Sequence, residues 1–341
     1  MPGFLSWVSG LFGDKSPAPP PARSRLLNPS TSPGNDLAAT DASLDKLEQH
    51  LFCWLLDTPP SELTRDSGDT HSIMEELSKR VQQGKLDELP RQPMTLPMLM
   101  RALSDPDISR KEITDIILND PALTDQLLLV ANSPFFRPGD QTIESVDQAV
   151  FLLGMDGIRS VIAAAILRPM MAARNSGEAL FAQRAWRWGL SCARAAELIA
   201  RLQGKDASAY FMVGLLPALS YLTLYREILR IYRGALAGPE VQPAVVLQAL
   251  QRFDWRISQQ IANHWNLPPR HTSYLLAAER PSPRQQHTPL NDGIILGTRE
   301  ILRHAHQRNM GEDELAALLS LTEGQFHTVR SELVNMLRDG H

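Results

Sequence analysis

The chain has 341 residues, of which 34 are Lys or Arg and 38 are Asp or Glu, so its formal net charge is −4. This near balance argues against a protein coated in positive charge for nucleic acid, although it leaves room for a local basic face. Apolar residues make up 43% of the chain and charged residues 21%, as in ordinary globular proteins. A chain of this length supports one large domain with additions, or two domains.

Two cysteines, Cys53 and Cys192, exclude a disulfide framework and a cysteine-rich zinc site. Both occupy helix-like apolar positions, which favours reduced core thiols and a cytoplasmic protein. The longest apolar runs, at residues 161–167 and 212–216, are far shorter than the roughly 20 residues that a membrane-spanning helix needs. No basic residue precedes the first apolar stretch, so we expect no secretory signal.

The charge is unevenly distributed along the chain. Residues 36–125 hold nine basic and 18 acidic residues, a net charge of −9, whereas residues 168–308 hold 18 basic and nine acidic residues, a net charge of +9. Such asymmetry is typical of a partner surface or of two lobes that attract each other. Scattered, solvated helix faces are the alternative interpretation.

Residues 1–36 are predicted to form a flexible tail and linker. The first twelve residues have apolar side chains at helical spacing, which permits a short amphipathic hook for a membrane surface or a partner groove. The only early cation is Lys15, so attraction to anionic lipid would be weak, and a flexible tail is the alternative. The Pro- and Ser-rich stretch that follows has the composition of a linker.

Residues 37–88 are predicted to form an N-terminal helical hairpin. One apolar stripe begins at about Asp41 and comprises Leu44, Leu47, Leu51, Trp54 and Leu55. Pro59-Pro60 breaks it. A capping box at Ser72-Ile-Met-Glu75 is expected to open a second helix, whose inward residues would be Ile73, Leu77 and Val81.

The remaining residues, 89–341, predict a chain of helices without a convincing alternating strand pattern. A capping box at Ser109–Glu112 and the Asp120-Pro121 pair should each begin a helix. Gly154 is expected to end a further helix. Further helices are predicted over residues 179–203, 209–232, 243–253, 257–265, 293–307 and 312–319, with a last one from a Thr322 cap through Leu337. The predicted fold class is therefore all-α.

Several motifs in this region resemble the HDOD family, the HD-related output domain. The motifs are Leu89-Pro-Arg-Gln-Pro93, Asp105-Pro106-Asp107, Asn119-Asp-Pro-Ala-Leu-Thr124, Leu127-Leu128, Ala131-Asn132-Ser133, Ala149-Val-Phe-Leu-Leu-Gly154, Ile158-Arg159, Trp186, Gly214-Leu215-Leu216 and Trp265-Asn-Leu-Pro268. The resemblance runs from about residue 89 to residue 279, and we expect the C-terminal helices to complete the domain. It implies a helical bundle like that of the HD phosphohydrolases.

The resemblance also implies where metal ligands would stand, and these positions hold other residues. HD phosphohydrolases use histidines and a His-Asp dipeptide to hold a divalent metal that activates water. The position of that dipeptide here is Pro217-Ala218. An upstream histidine position is Trp188, and a downstream one falls at Asp254-Trp255. We therefore expect no catalytic residue, no metal site and no cofactor. The scattered histidines, including His264, His271, His304 and His306, are interpreted as solvated or core residues.

Two helical stripes of arginine form the candidate interaction surface. Arg184, Arg187, Arg194 and Arg201 fall in one sector of a helix, and Arg226, Arg230 and Arg233 form a second stripe. Guanidinium groups suit carboxylates and phosphates. The stripes could dock an acidic protein or the acidic N-terminal half of the same chain, and a solvated helix face is the alternative.

Two other clusters have structural interpretations. Asn132-Ser133 follows a helix and precedes a proline, so we expect the two side chains to satisfy the helix end rather than bind a ligand. Met94, Met98 and Met100 are interpreted as adaptable core or lid packing.

The sequence favours a non-catalytic bacterial signal-transduction protein whose HDOD domain is a protein-interaction and output platform. The resemblance implies a sensor kinase, a response regulator or a cyclic-dinucleotide enzyme as partner, and the N-terminal hairpin could cap the platform. A residual phosphohydrolase or a cyclic-dinucleotide-binding protein is the first alternative. A nucleic-acid binder is a weaker one, because aromatic residues are only 6% of the chain and form no stacking motif.

Overall fold

The computed structural model describes residues 33–65, 68–104, 108–133, 135–137, 141–234, 241–278 and 287–338. These residues form fourteen helices and no strand, which confirms the all-α fold. The predicted amphipathic start at residues 1–12 lies outside the described residues. In chain order the helices are α1 (Pro33–Leu56), α2 (Pro60–Leu63), α3 (Thr70–Gln83), α4 (Leu96–Ser104), α5 (Arg110–Leu118), α6 (Pro121–Ala131), α7 (Val146–Met171), α8 (Ser176–Leu202), α9 (Ala207–Gly234), α10 (Pro243–His264), α11 (Pro269–Ala278), α12 (Pro289–His304), α13 (Glu312–Ala317) and α14 (Glu323–Arg338).

Helix α8 lies at the centre of the bundle, between α9 and α12. Glycines allow these backbones to approach closely. A Cβ atom at Gly214 on α9 would lie 2.7 Å from the Cα of Ala193, and one at Gly297 on α12 would lie 2.6 Å from the Cα of Cys192. Since real Cβ atoms do not approach so closely, the glycines set the distance between the three helices.

Local sequence signals explain several helix ends. Ser109 and Glu112 form the predicted capping box, and Asp120 accepts a hydrogen bond from the Leu123 amide at 3.1 Å. Gly154 has a φ of 67° and interrupts α7, as predicted. The capping box expected at Ser72 is wrong, because α3 begins two residues earlier at Thr70 and the Ser72 hydroxyl donates to the Asp69 carbonyl.

Other helix boundaries differ from the predictions. Residues 243–253 and 257–265 form one continuous helix, α10, since its buried residues keep helical spacing through Asp254. Helices α4 and α11 were not predicted, because both are short and begin at prolines or beside them. Helix α1 begins at Pro33, before the apolar stripe that marks it in the sequence.

The two longer N-terminal helices pack on different parts of the bundle. Helix α1 contacts α8 and α12, whereas α3 contacts α9 and α10. The residues predicted to face inward, including Leu51, Leu77 and Val81, are buried in the same core as the rest of the described chain. The predicted domain boundaries at residues 36 and 88 stay predictions, but α1 and α3 pack mainly on the bundle rather than on each other.

The segment that follows α3 is tied to the bundle by hydrogen bonds and ion pairs. Glu227 on α9 is fully buried, and its carboxylate accepts from Arg80 Nη1 at 2.7 Å and from the Glu88 amide at 3.1 Å. Trp265 Nε1 donates to the Pro90 carbonyl at 2.9 Å. Residues 84–92 therefore run along the surface of α9 and α10 in a defined position.

Asn132 holds the end of α6 as predicted. Its amide nitrogen donates to the carbonyls of Leu128 and Ile143, and its Oδ1 accepts from the Ile143 amide at 2.8 Å. The interpretation of the methionines is correct only in part. Met100 is buried, but Met94 is 98% exposed and Met98 is also exposed.

Helices α7 and α9 are long and apolar enough to cross a membrane by length and composition. Core helices of soluble proteins pass the same test, so the observation is weak evidence. Helix α7 is interrupted at Gly154 and buries Arg168, and most of the apolar stretch of α9 is buried within the protein. Both helices supply core side chains to the bundle.

Gly297→Ala tests the close contact of α8 with α12. The added methyl group would lie 2.6 Å from the Cα of Cys192, so the helices must separate. We expect a loss of about 1–3 kcal/mol in the free energy of unfolding, measured by urea denaturation. Gly324→Ala is the matched control, because a Cβ there meets nothing within 4 Å. Equal stability of the two variants would contradict the contact.

His271 should make stability depend on pH. Burial, with Arg270 nearby, lowers the pKa of His271 to about 4. A lowered folded-state pKa contributes stability that is present above pH 6.5 and is lost as the pH falls toward 4. In His271→Leu we expect the decrease of Tm between pH 7 and pH 4.5 to become shallower. An unchanged slope in His271→Leu would contradict this prediction.

Glu227→Gln tests the attachment of the N-terminal segment. The glutamine amide would turn a donor toward the Arg80 guanidinium or the Glu88 amide, leaving a buried polar group unpaired. We expect a loss of about 1–3 kcal/mol in the free energy of unfolding and faster proteolysis near residues 84–92. Glu62→Gln, in an exposed pair with Arg65, should change little. Unchanged stability of Glu227→Gln would argue against the attachment.

Candidate functional site

Four of the five positions where the resemblance implies metal ligands line one cavity. Trp188 on α8, Pro217 on α9 and Asp254 with Trp255 on α10 all line it. This central cavity has a volume of about 410 Å³. Its lining consists of Leu44, Asp45, Leu47, Glu48, Leu51, Trp188, Pro217, Tyr221, Asp254, Trp255, Ile294, Ile295 and Thr298. The structure therefore brings together residues that lie up to 254 positions apart in the sequence, from α1 to α12.

Aromatic side chains form one wall of the central cavity. The Trp188 ring stacks on Tyr221 with 4.6 Å between centroids, and Tyr221 in turn stacks on Phe52 at 5.9 Å. The Trp188 indole nitrogen donates to Thr298 Oγ1 at 2.8 Å. The indole is thereby fixed in orientation at the position where the resemblance expects a histidine.

The donor set does not fit a divalent metal. Pro217 has no ligating atom, and Ala218 does not line the cavity because its Cβ faces Gly189, where a Cβ would lie only 2.5 Å away. Asp254 is 8% exposed, and its Oδ1 accepts from the Trp255 amide at 2.8 Å. Among the described residues, no group of three or more His, Cys, Asp or Glu side chains is arranged to hold a metal ion.

Helix α1 also contributes to the wall of the central cavity. Leu44, Leu47 and Leu51 supply its apolar surface, and Asp45 and Glu48 supply carboxylates. Glu48 Oε2 accepts from Gln251 Nε2 on α10 at 3.0 Å, which ties α1 to the bundle beside the cavity. The sequence predicted the leucine stripe of α1, but it did not predict that this stripe lines the central cavity.

The first arginine stripe, on α8, pairs within the chain. Arg184 donates to Asp57 Oδ1 at 3.0 Å and to the Trp54 carbonyl. Arg194 and Arg201 both pair with Glu197, which is fully buried, at 2.8 and 3.0 Å. Arg187, also on α8, is half-buried.

The second stripe, on α9, is also largely engaged. Arg226 is buried and forms a bidentate pair with Glu178 at 3.1 and 3.2 Å, so it does not lie on a surface. Arg230 pairs with Asp87 at 2.9 Å, and Arg233 is exposed. Several arginines of both stripes thus meet carboxylates of this same chain, including Asp57 and Asp87 from its acidic N-terminal half.

Sequence reasoning missed the buried acidic residues. Glu178, Glu197, Glu227, Asp292 and Glu300 are all almost fully buried. Burial raises the pKa of Asp292, although His287 at 2.9 Å opposes this shift. The sequence does place some of these carboxylates one helical turn from an arginine, as with Glu197 after Arg194. This spacing could not predict burial, because the same pairs are common on exposed helix faces.

The cysteines match the expectation of core thiols. Cys192 is buried, Cys53 is half-buried, and neither forms a disulfide. Burial raises the pKa of both thiols. A raised thiol pKa reduces the thiolate fraction, so neither cysteine has the character of a nucleophile.

Comparison with known proteins places this geometry in a family. Residues 89–281 match the HDOD domain. Two solved structures from Shewanella amazonensis have similar folds. A candidate metal-dependent phosphohydrolase is 17% identical to this chain and has a TM-score of 0.54. The match covers 78% of this chain and 100% of that protein. A candidate phosphohydrolase is 19% identical to this chain and has a TM-score of 0.55. The match covers 76% of this chain and 98% of that protein. At these identities the likeness concerns the fold alone.

An uncharacterized protein of Treponema pallidum is 24% identical over 190 residues. The match covers 54% of this chain and about a third (36%) of that curated relative. The HDOD match spans more than half of the chain and includes α8, α9 and α10, which carry Trp188, Pro217 and Asp254. The chain belongs to the HDOD family.

Proposed function

We propose that this HDOD protein is a non-catalytic, cytoplasmic component of bacterial signal transduction, in which the helical domain serves as a protein-interaction and output platform. One observation carries the proposal. The positions at which the resemblance expects metal ligands hold Trp188, Pro217 and Asp254-Trp255, and these residues line one cavity together with residues of α1. The scaffold is kept while the groups needed for hydrolysis are replaced.

Metal-assisted hydrolysis requires neutral imidazole or carboxylate lone pairs fixed toward one ion. In the central cavity an indole and a proline stand where imidazole would be needed. The single carboxylate at these positions, Asp254, accepts a hydrogen bond from the Trp255 amide. These residues support binding and recognition rather than activation of water.

The alternative, a residual phosphohydrolase or a cyclic-dinucleotide-binding protein, is less well supported. Among the residues that the structure describes, the lining of the central cavity includes Asp45, Glu48 and Asp254 but no Lys, Arg or His. Carboxylates at close range repel phosphate groups, and phosphate recognition normally uses arginine, lysine or helix N-termini. The charge of the cavity therefore disfavours both phosphate esters and cyclic dinucleotides.

In this proposal, exposed residues on the outer surface of the domain bind the partner. Phe151 is 73% exposed and the adjacent Leu152 is 39% exposed within the Ala149–Gly154 motif, and we propose that this apolar pair contacts the partner. The exposed Arg233 offers a charged contact.

The partner classes that the family implies are a sensor kinase, a response regulator or a cyclic-dinucleotide enzyme. Nucleic acid is not an expected partner, since several arginines of the predicted stripes already pair with carboxylates of the chain.

Elemental analysis and affinity capture together test the proposal. We expect the purified chain to contain no stoichiometric iron or manganese, and to show no hydrolysis of bis(p-nitrophenyl) phosphate with added Mn²⁺. In capture from native cells, we expect a signalling protein to be enriched with the native chain. Its recovery should fall about tenfold or more in Phe151→Asp or Arg233→Glu, if either residue is an interface hot spot.

Glu62→Gln, an exposed change away from both residues, is the matched control and should capture as the native chain does. Stoichiometric metal with metal-dependent hydrolysis would overturn the proposal. Equal recovery of the same proteins by all variants and by an unrelated bait would also contradict it, because the capture would then be non-specific.

A further inference from the structure

We propose that a small pocket between α4, α7, α9 and α11 binds the carboxylate group of a short organic acid. The inference goes beyond the proposed platform function, since it concerns a small-molecule ligand rather than a protein partner. Among the residues that the structure describes, this pocket, called the carboxylate pocket below, shares no lining residue with the central cavity.

Side chains from four helices build the carboxylate pocket. Arg159 of α7 and His271 of α11 supply nitrogen atoms, and Met100 of α4 and Met212 of α9 supply apolar surface. His271 is only 3% exposed, whereas Arg270, which also lines the pocket, is exposed. The carboxylate pocket therefore runs from the surface toward the interior.

Two nitrogen atoms at the carboxylate pocket are buried and have no hydrogen-bond partner within the described part of the chain. They are Nε of Arg159 and Nδ1 of His271. The Pro268 carbonyl accepts from the His271 backbone amide at 2.9 Å rather than from the ring. Native proteins leave few buried polar atoms unpaired, so two of them at one pocket indicate a missing partner. Since a guanidinium nitrogen only donates, that partner must be an acceptor.

The charge pairs around the carboxylate pocket do not supply this acceptor. Arg270 pairs with Asp206 at 2.9 Å, and Asp206 also accepts from the Ser208 hydroxyl at 3.0 Å. Arg159 Nη1 lies 3.8 Å from Asp156, whose side chain is largely exposed. The two unpaired nitrogen atoms take part in neither pair. The need for an acceptor thus remains after these carboxylates are counted.

An anionic acceptor fits the two nitrogen atoms better than a neutral one. Hydrogen bonds from a guanidinium to a carboxylate are charge-assisted and roughly twice as strong as neutral ones. Helix α11 begins at Pro269, so the positive end of its dipole lies beside His271. The imidazole is neutral at pH 7, because burial lowers the pKa of His271 to about 4, and its Nδ1–H tautomer donates. A carboxylate has two acceptor oxygens for these two donors.

The size of the carboxylate pocket limits the ligand to a short acid. Its volume is about 20 Å³, slightly above the roughly 10–15 Å³ that one water molecule needs. A phosphate group or an aromatic ring exceeds this space. Met100 and Met212 have flexible side chains that can adapt to a methyl group. The ligand class is therefore an acid of the size of formate or acetate.

Acetate tests the inference on the full chain. We expect saturable binding with a Kd on the order of 1 mM, because four non-hydrogen atoms limit the affinity. The measurement is saturation-transfer NMR of the acetate methyl group at pH 7 and constant ionic strength. Formate should displace acetate, whereas phosphate and benzoate, which are too large, should not.

Variants locate the site. Arg159→Leu removes the Nε donor and His271→Leu removes the imidazole, and each should weaken acetate binding about tenfold or more. Two variants are used so that one still decides if the other does not fold. Arg338→Leu, exposed on α14, is the matched control and should bind acetate as the native chain does.

Three results would overturn the inference. The first is no saturable binding of acetate to the native chain, as expected if a single water molecule fills the pocket. The second is displacement of acetate by phosphate as effective as that by formate. The third is native-like acetate binding by Arg159→Leu or His271→Leu, with an unaltered circular dichroism spectrum. None of these results bears on whether Phe151 or Arg233 contacts a partner, so the two proposals fail independently.

Discussion

The close approach of α8 to α9 and α12 is the constraint on which the rest of the bundle depends. At Gly214 and Gly297 the neighbouring backbone leaves no room for a methyl group. Because protein interiors are packed as densely as organic crystals, contacts of this kind hold helices in one register. That register turns Trp188 and Pro217 toward the central cavity, and it turns Ala218 toward Gly189. A larger side chain at position 218 would have to displace α8.

Buried carboxylates account for the uneven charge along the sequence. Glu227 binds Arg80 and the Glu88 amide across the boundary between the acidic and basic halves, and Arg230 pairs with Asp87. A buried charge is costly unless it is paired and hydrogen-bonded, so these contacts are needed as soon as the carboxylates are enclosed. Part of the charge asymmetry is therefore attraction between two parts of one fold.

The sequence predicted the fold class, most helices and several caps, because these depend on local spacing. It also located Trp188, Pro217 and Asp254 through the resemblance to the HDOD family. The sequence could not place α1 over the cavity, since its leucine stripe shows that one face is buried but not against what. Nor could it distinguish the buried Arg226 from the exposed Arg233, because both have helical spacing and the difference arises from packing against Glu178.

The position of α1 links the cavity to the N-terminal segment of the chain. Leu47 and Leu51 are buried and also line the cavity, so the docking of α1 and the contents of the cavity share the same contacts. A molecule that binds only when α1 is docked stabilises that docking by its own binding free energy, and the effect is reciprocal. Residues 84–92 are held along α9 and α10 by Glu227 and Trp265, so the segment after α3 is also attached to helices that line the cavity. The residues at the positions where the resemblance implies metal ligands therefore lie where α1 meets the bundle.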